Sequence, residues 1–428
     1  FQKCIIPFQT VVVMQLPRGW TVLVVTPSTR PFRPCTQPRD PAGAANMPGS
    51  GRKPYPSMKK YLALAAVTLA LLGQSVRAAE IESRSLDQIH KEALKEGGAL
   101  VIYAGGDTPN QLGGIKTAFE KRFPGMTLEV VVDYSKVHNA RLDQQFADGK
   151  VVADVVQLQT LQDFPRWRRE GRLLAYKPRG WDHIYSSFKD QTGAWTGVFV
   201  DAFSNLANTK ALGSIPAPSN AHDYLDPALK GKIISTYPND DDAVLFWYKQ
   251  TIDRHGWEWM EKFMQQEPHF VRGTQAPADA VASGKYPVTF TTDGSLKPDA
   301  GSPVRFSIPT NDGFVAWAQR AAIIKGTRRP ESARLYLSWL LDKDTQKNVW
   351  YMWSVRNDVQ PPADYRPIWE YSSANLSNFE RFMADRDAVE RFRARIQLYV
   401  GEVQGPSSAG VLGMTPVKAL AAPAAAKP

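Results

Sequence analysis

Residues 193–210 read GAWTGVFVDAFSNLANTK. From 194 to 208 this is one extended segment, rich in the aromatic and β-branched residues that favour strands. It is too long for a strand of one compact lobe and could carry the chain elsewhere. A second such stretch lies at 304–324, where PVRFSIP is followed by FVAWAQRAAII. It could carry the chain back. Two crossings imply two lobes with a cleft between them, and lobes so joined can close on a ligand.

Upstream of the first crossing, strands alternate with helices. SLDQIHKEALKEGG (85–98) predicts a helix capped by Ser85, with Leu86, Ile89, Ala93 and Leu94 on one face and Gly97 as its stop. ALVIYAGG (99–106) is a buried strand. PNQLGGIKTAFEKRFPG (109–125) predicts a helix with Pro109 near its first turn. MTLEVVVDY and ADVVQLQ are strands, whereas NARLDQQFADGK and DFPRWRREG are helices. This alternation means an α/β fold with a parallel, doubly wound sheet. Between the crossings a strand is expected near Lys232–Thr236, then a helix opening at an acidic run, a helix at WEWMEKFM, and a helix, turn and strand in APADAVASGKYPVTFTT. Beyond them, PESARLYLSWLLDKDTQKNVW and NFERFMADRDAVERFRARIQLYV each predict an amphipathic helix.

MKKYLALAAVTLALLGQSVRAAE begins at Met58. A basic start, an uncharged run from Tyr61 to Leu72 and small residues at Val76 and Ala78 make a secretory signal, cut after Ala78 or Ala79. The run is shorter than the ~20 apolar residues of a membrane span. Residues 1–57 are then expected to be a mis-called or disordered extension. The expected division is 1–57 extension, 58–79 signal, 80–203 lobe one, 204–312 lobe two, 313–404 the lobe-one return with the C-terminal helices, and 405–428 a disordered tail.

The net charge of +10 would by itself suggest nucleic acid. Residues 1–78 hold ten basic side chains and one acid, which leaves 42 basic against 41 acidic residues beyond them. Nucleic-acid binding thus loses its support. Cys4 and Cys35 also fall in the first segment, so a disulfide framework or thiol chemistry is not expected downstream. The six histidines lack ligand spacing. No Gly-x-Ser-x-Gly, P-loop or His-Glu-x-x-His motif is present, so catalysis is not expected.

EGGALVIYAGG, AFEKRFPGMTLEVV, ADVVQLQ, GVFVDAFSNLANT, YLDPALKGKI, AVASGKYPV and PESARLYLSWLLDKDTQ, in this order from about Leu86 to Val400, give the chain a resemblance to a family. It resembles the family-1 extracellular solute-binding proteins of ABC importers, in the branch that includes the periplasmic ferric-binding proteins. The resemblance implies a two-lobe type II periplasmic-binding-protein fold. It implies a monomer that captures a small-molecule solute and delivers it to an inner-membrane permease, without cofactor or turnover. Presentation of the solute to a membrane sensor is the alternative. Ferric-binding relatives carry adjacent tyrosines after the SG turn and its strand. Here the region reads Thr291, Thr292, Asp293, Gly294, which puts bare Fe(III) in doubt and leaves a ferric protein with an atypical site as a further alternative.

Ligands of such open sheets sit beyond the carboxyl ends of the strands. Gly105, Gly106, Asp107 and Thr108 follow the first strand. They form an anion site if a helix N-terminus faces the cleft, or a simple cap. Asp133, Tyr134, Gln157 and Gln159 end the next two strands and could hydrogen-bond a polar solute. Tyr237, Asn239, Asp240, Asp241 and Asp242 open a lobe-two helix, as dipole partners or as a cation site. Arg272, Thr274 and Gln275 precede another helix, where Arg272 could pair with an anion. Trp195 could stack on a flat solute or pack in the core, and Asp201 could face the cleft. Thr291, Thr292 and Asp293 complete the candidates. Arg356 is expected in a structural salt bridge.

Overall fold

A computed structural model of the chain describes residues 11–15, 21–25 and 79–416. The signal read at 58–79 lies outside them but for its last residue. Within the segment read as an extension, β1 (Val11–Gln15) and β2 (Thr21–Val25) pair antiparallel, Val11 opposite Val25.

From residue 79 the chain builds the expected two-lobed α/β unit. Lobe one holds β3 (Ala99–Gly105), β4 (Thr127–Asp133), β5 (Val155–Leu158) and β6 (Leu173–Leu174). β3 runs parallel to both β4 and β5. Ser85 closes a capping box with Gln88 at the start of the helix Leu86–Lys95, so two otherwise unpaired N–H groups are satisfied. The helix packs Ile89 and Ala93 against Phe119 of the helix Gly113–Arg122 and Leu335, Tyr336 and Trp339 of the helix Pro330–Leu340. Each such fully buried side chain contributes ~1.5–3 kcal/mol.

The opening stretch is a single strand, β7 (Thr196–Asn208). Lobe two adds β8 (Ile234–Thr236), β9 (His269–Val271), β10 (Val288–Thr292) and β11 (Val304–Ser307), and β12 (Val315–Ile324) runs back. The first part of β7 pairs antiparallel with β12, and its end pairs with β10 and β11. β12 in turn pairs with β5. One sheet therefore runs through both lobes, and β7 and β12 lie side by side where the chain crosses.

Five expectations need correction. The helix placed from Pro109 begins at Gly113, after turns at 107–112. The stretch 330–350 is two helices, Pro330–Leu340 and Lys343–Asn348, because the Asp342 carboxylate accepts from the Asp344 N–H and starts a new cap. Asp385 breaks 378–400 in the same way, accepting from Ala388 N and dividing Leu376–Ala384 from Arg386–Val400. Those last two helices pack in lobe two: Phe379, Phe382, Val389, Phe392 and Ile396 join Val244, Phe246 and Trp259 in one core. Residues 405–416, expected to be disordered, are tied to both lobes by hydrogen bonds. No described helix is long and apolar enough to cross a membrane.

Candidate functional site

The carboxyl ends of β3 and β5, the middle of β7, the lobe-two helix starts and the segment after Asn348 converge on a cavity of about 380 Å³. That lies in the range of small-molecule sites. Of the candidates, Gly105, Gly106, Asp107, Tyr134, Gln159, Asp201, Asp240, Asp241, Asp242, Thr274, Gln275 and Asp293 line it.

The walls meet directly. Asp107, from lobe one, places Oδ2 2.6 Å from Thr274 N, 2.7 Å from Thr274 Oγ1 and 3.0 Å from Gln275 N. All three donors sit at the start of the lobe-two helix Gln275–Ala282. The anion at this helix N-terminus is thus the protein's own carboxylate, from the opposite lobe. Lys136 Nζ, also from lobe one, lies 3.0 Å from Asp240 Oδ1. Arg272 holds the other oxygen of Asp240 at 2.8 Å. The cleft is closed by these contacts.

The acidic run divides by role. Asp241 caps the helix Asp242–His255, accepting from Ala243 N at 2.8 Å and Val244 N at 2.9 Å. Burial, with help from the charge of Asp107, pushes its carboxyl up to about 7. Asp242 is held by Arg393 and, at 3.4 Å, by Arg386, both on the last helix. Asp201 and Asp293 differ. Asp201 accepts from the N–H of Ala202 at 3.0 Å. Asp293 accepts from Tyr351 Oη at 2.6 Å and Thr292 Oγ1 at 3.4 Å. Among the described residues no basic side chain pairs with either. Burial raises both carboxyls, and the charge of Asp293 raises Asp201 further. The same charge, first, and burial, second, hold Tyr351 well above the usual phenol range.

Aromatic side chains complete the wall. Phe199 stacks on Trp350 at 4.4 Å, and Phe203 meets Trp317 edge-on at 5.0 Å. Trp317 Nε1 donates to Gln319 Oε1 at 3.0 Å. Lys136, Phe199, Trp317, Gln319, Trp350 and Tyr351 line the cavity, and sequence reading did not select them. Phe199 lies two residues from Asp201, so strand alternation could have found it.

The other candidates lie elsewhere. Asp133 forms a buried pair with Arg141 at 2.7 Å. Gln157 accepts from Tyr336 Oη at 3.2 Å inside lobe one. Trp195 packs under the Arg320 guanidinium, 3.8 Å from its ring centre. Tyr237 stacks on Phe270, and Asn239 donates to Gly401 O at 2.9 Å. Thr291 Oγ1 accepts from Thr236 N at 2.9 Å, and Thr292 is buried on β10. Thr108 and Arg272 do not line the cavity. Arg356 pairs with Asp358 at 2.8 Å, as expected. Among the described residues no group of three or more His, Cys, Asp or Glu is placed to hold a metal ion.

The profile of the bacterial extracellular solute-binding proteins matches residues 152–369. An uncharacterized protein of Haemophilus influenzae is 22% identical over 251 residues, which cover 55% of this chain and 71% of that one. The periplasmic binding protein AfuA of Actinobacillus pleuropneumoniae, solved with exogenous fructose-6-phosphate bound, is 20% identical. It superposes with a TM-score of 0.56 over 71% of this chain and 98% of its own. Iron-bound HitA of Pseudomonas aeruginosa gives 15% identity and a TM-score of 0.52 over 70% and 99% of the two chains.

Proposed function

The chain belongs to the bacterial extracellular solute-binding proteins, and on that footing we propose that it captures a small polar solute in the periplasm and hands it to an ABC-type importer of the inner membrane. The signal read at 58–79 supports export. The cavity built by both lobes at the strand ends carries the reading: its size suits one small molecule, and its walls hold binding groups without a catalytic set.

The walls also narrow the solute. Asp201 and Asp293 offer carboxyl oxygens that have no basic partner among the described residues, beside Phe199, Trp350 and Trp317. Such a wall favours a molecule with several hydrogen-bond donors, an amine or a polyol, and one apolar face. It disfavours a phosphate such as the ligand of AfuA, because the lysine on the wall, Lys136, is already held by Asp240. It disfavours bare Fe(III) as well, because Thr291 and Thr292 stand where ferric-binding relatives carry adjacent tyrosines.

Native mass spectrometry of protein purified from periplasm without refolding tests the reading. Thermal shifts with free hexoses, fructose 6-phosphate and organic amines complete it. The expected result is a co-purifying solute, and stabilisation by hexoses or amines of ~3 kcal/mol at a hundred times Kd. Stabilisation by the phosphate ester alone would reverse the solute class. Unchanged uptake of the identified solute after deletion of the gene would sink the import reading.

A further inference from the structure

The helix Arg386–Val400 ends in lobe two, and residues 401–416, GEVQGPSSAGVLGMTP, then run without regular structure. Their glycines and prolines account for the missing helix or strand. Lobe two holds the first part: Asn239 Nδ2 donates to Gly401 O at 2.9 Å and Arg272 Nη1 to Gly405 O at 3.2 Å. Lobe one holds the rest. Ser408 Oγ lies 2.8 Å from Tyr134 Oη, and Ser408 N donates to the same oxygen at 3.3 Å. Arg141 Nε donates to Gly413 O at 2.8 Å and Gln145 Nε2 to Met414 O at 2.7 Å. Ala409 is buried, and Leu412 packs against the lobe-one core.

The segment passes over the point where the lobes touch. Gly273 lies between: a Cβ there would fall 2.9 Å from Ser408 Oγ and 3.1 Å from Asp107 Cγ, and its φ of +74° is one that glycine tolerates best. Tyr134, the anchor of Ser408, lines the cavity. We propose that residues 401–416 are a strap that gates the cleft: its lobe-one end must lift before the lobes separate and the cavity exchanges its contents. Opening then breaks the Tyr134–Ser408, Arg141–Gly413 and Gln145–Met414 bonds as well as the Asp107 and Lys136 contacts. The strap takes the cavity as the exchange site but holds for any solute.

Access can be read without a solute, so the test stands apart from the import reading. In the full chain, Cys4 and Cys35 are replaced by serine and one cysteine is introduced on the cavity wall as Gln319→Cys. Its reaction rate with a thiol reagent, 5,5′-dithiobis(2-nitrobenzoate), reports exposure of the cavity. Two variants loosen the strap: a stop codon after Glu402, and Leu412→Asp, which sets a charge against the lobe-one core. Each is expected to speed labelling about tenfold, the scale of losing one or two net hydrogen bonds, with far-ultraviolet circular dichroism unchanged. Folded variants that label at the parent rate overturn the gate. If the truncated chain unfolds, Leu412→Asp decides alone. Unfolding of both also overturns the proposal, since a gate is dispensable for the fold.

Discussion

Two pairs of aspartates line one cavity and live in opposite surroundings. Asp240 and Asp242, at a lobe-two helix start, are each held by two basic side chains: Lys136 and Arg272 for one, Arg386 and Arg393 for the other. Asp201 and Asp293, on the β7 and β10 side, have polar donors but, among the described residues, no basic partner. The first pair is fitted to hold the protein together. The second is left with carboxyls that burial makes costly to ionise, and a solute that donates to them can relieve that cost. Residue type is the same, so on the proposed reading the partner and not the acid separates structure from binding.

The sharpest way to break the comparison is the double variant Asp201→Asn, Asp293→Asn. We expect it to bind the co-purified solute ~100-fold more weakly by calorimetry, within the ~2–5 kcal/mol of truncating a buried charged pair. We also expect it to melt higher than the parent, because two carboxyls that burial makes costly to ionise are gone. Lower stability with intact affinity would exchange the roles of the two pairs. Arg393→Ala should do the reverse. It leaves Asp242, 5% exposed, with Arg386 alone, and should cost ~2–3 kcal/mol in urea unfolding while solute affinity changes little.

A smaller effect is expected from pH. The folded pKa of Asp241, about 7, lies above its unfolded value near 4. Its protonated form therefore stabilises the fold fully below about pH 4, and that contribution is lost as pH rises through about 7. Asp241→Asn keeps a capping oxygen and should flatten this part of the stability curve, gaining ~1–2 kcal/mol at pH 8. The gain is smaller than the full shift because Asp241 lines the cavity and is only half-buried. An unchanged curve would place the titration elsewhere. The smallest expected effect is none at all: ferric citrate should give no intense visible band. A band that disappears in Tyr351→Phe or Tyr134→Phe would restore the ferric reading.

Much of the architecture was legible because it follows from local pattern. Ser85 and Gln88 cap as read, and the length of 194–208 announced a strand that crosses. Asp342 and Asp385 misled because an aspartate can continue a helix or cap the next one, and the choice depends on backbone geometry that pattern does not carry. The candidate site was legible where strand ends named it, as at Asp107 and Asp293, and where the crossing segment did, as at Asp201. It was not legible where partners are remote. Thr274 is 167 residues from Asp107, and Lys136 is 104 residues from Asp240. The strap was misread for a related reason. Its own composition predicts disorder, and what orders it is Arg141, Gln145, Asn239 and Arg272, side chains of distant elements.

Two indoles on the cavity wall have a practical consequence. Trp317 and Trp350 face the cavity, while Trp167, Trp259 and Trp353 are sealed in the lobes. Indole emission follows the polarity around the ring, so an incoming solute should shift the light from the first two against a steady background from the others. The protein thus carries an intrinsic optical gauge of its own occupancy, readable at micromolar concentration without dye or tag.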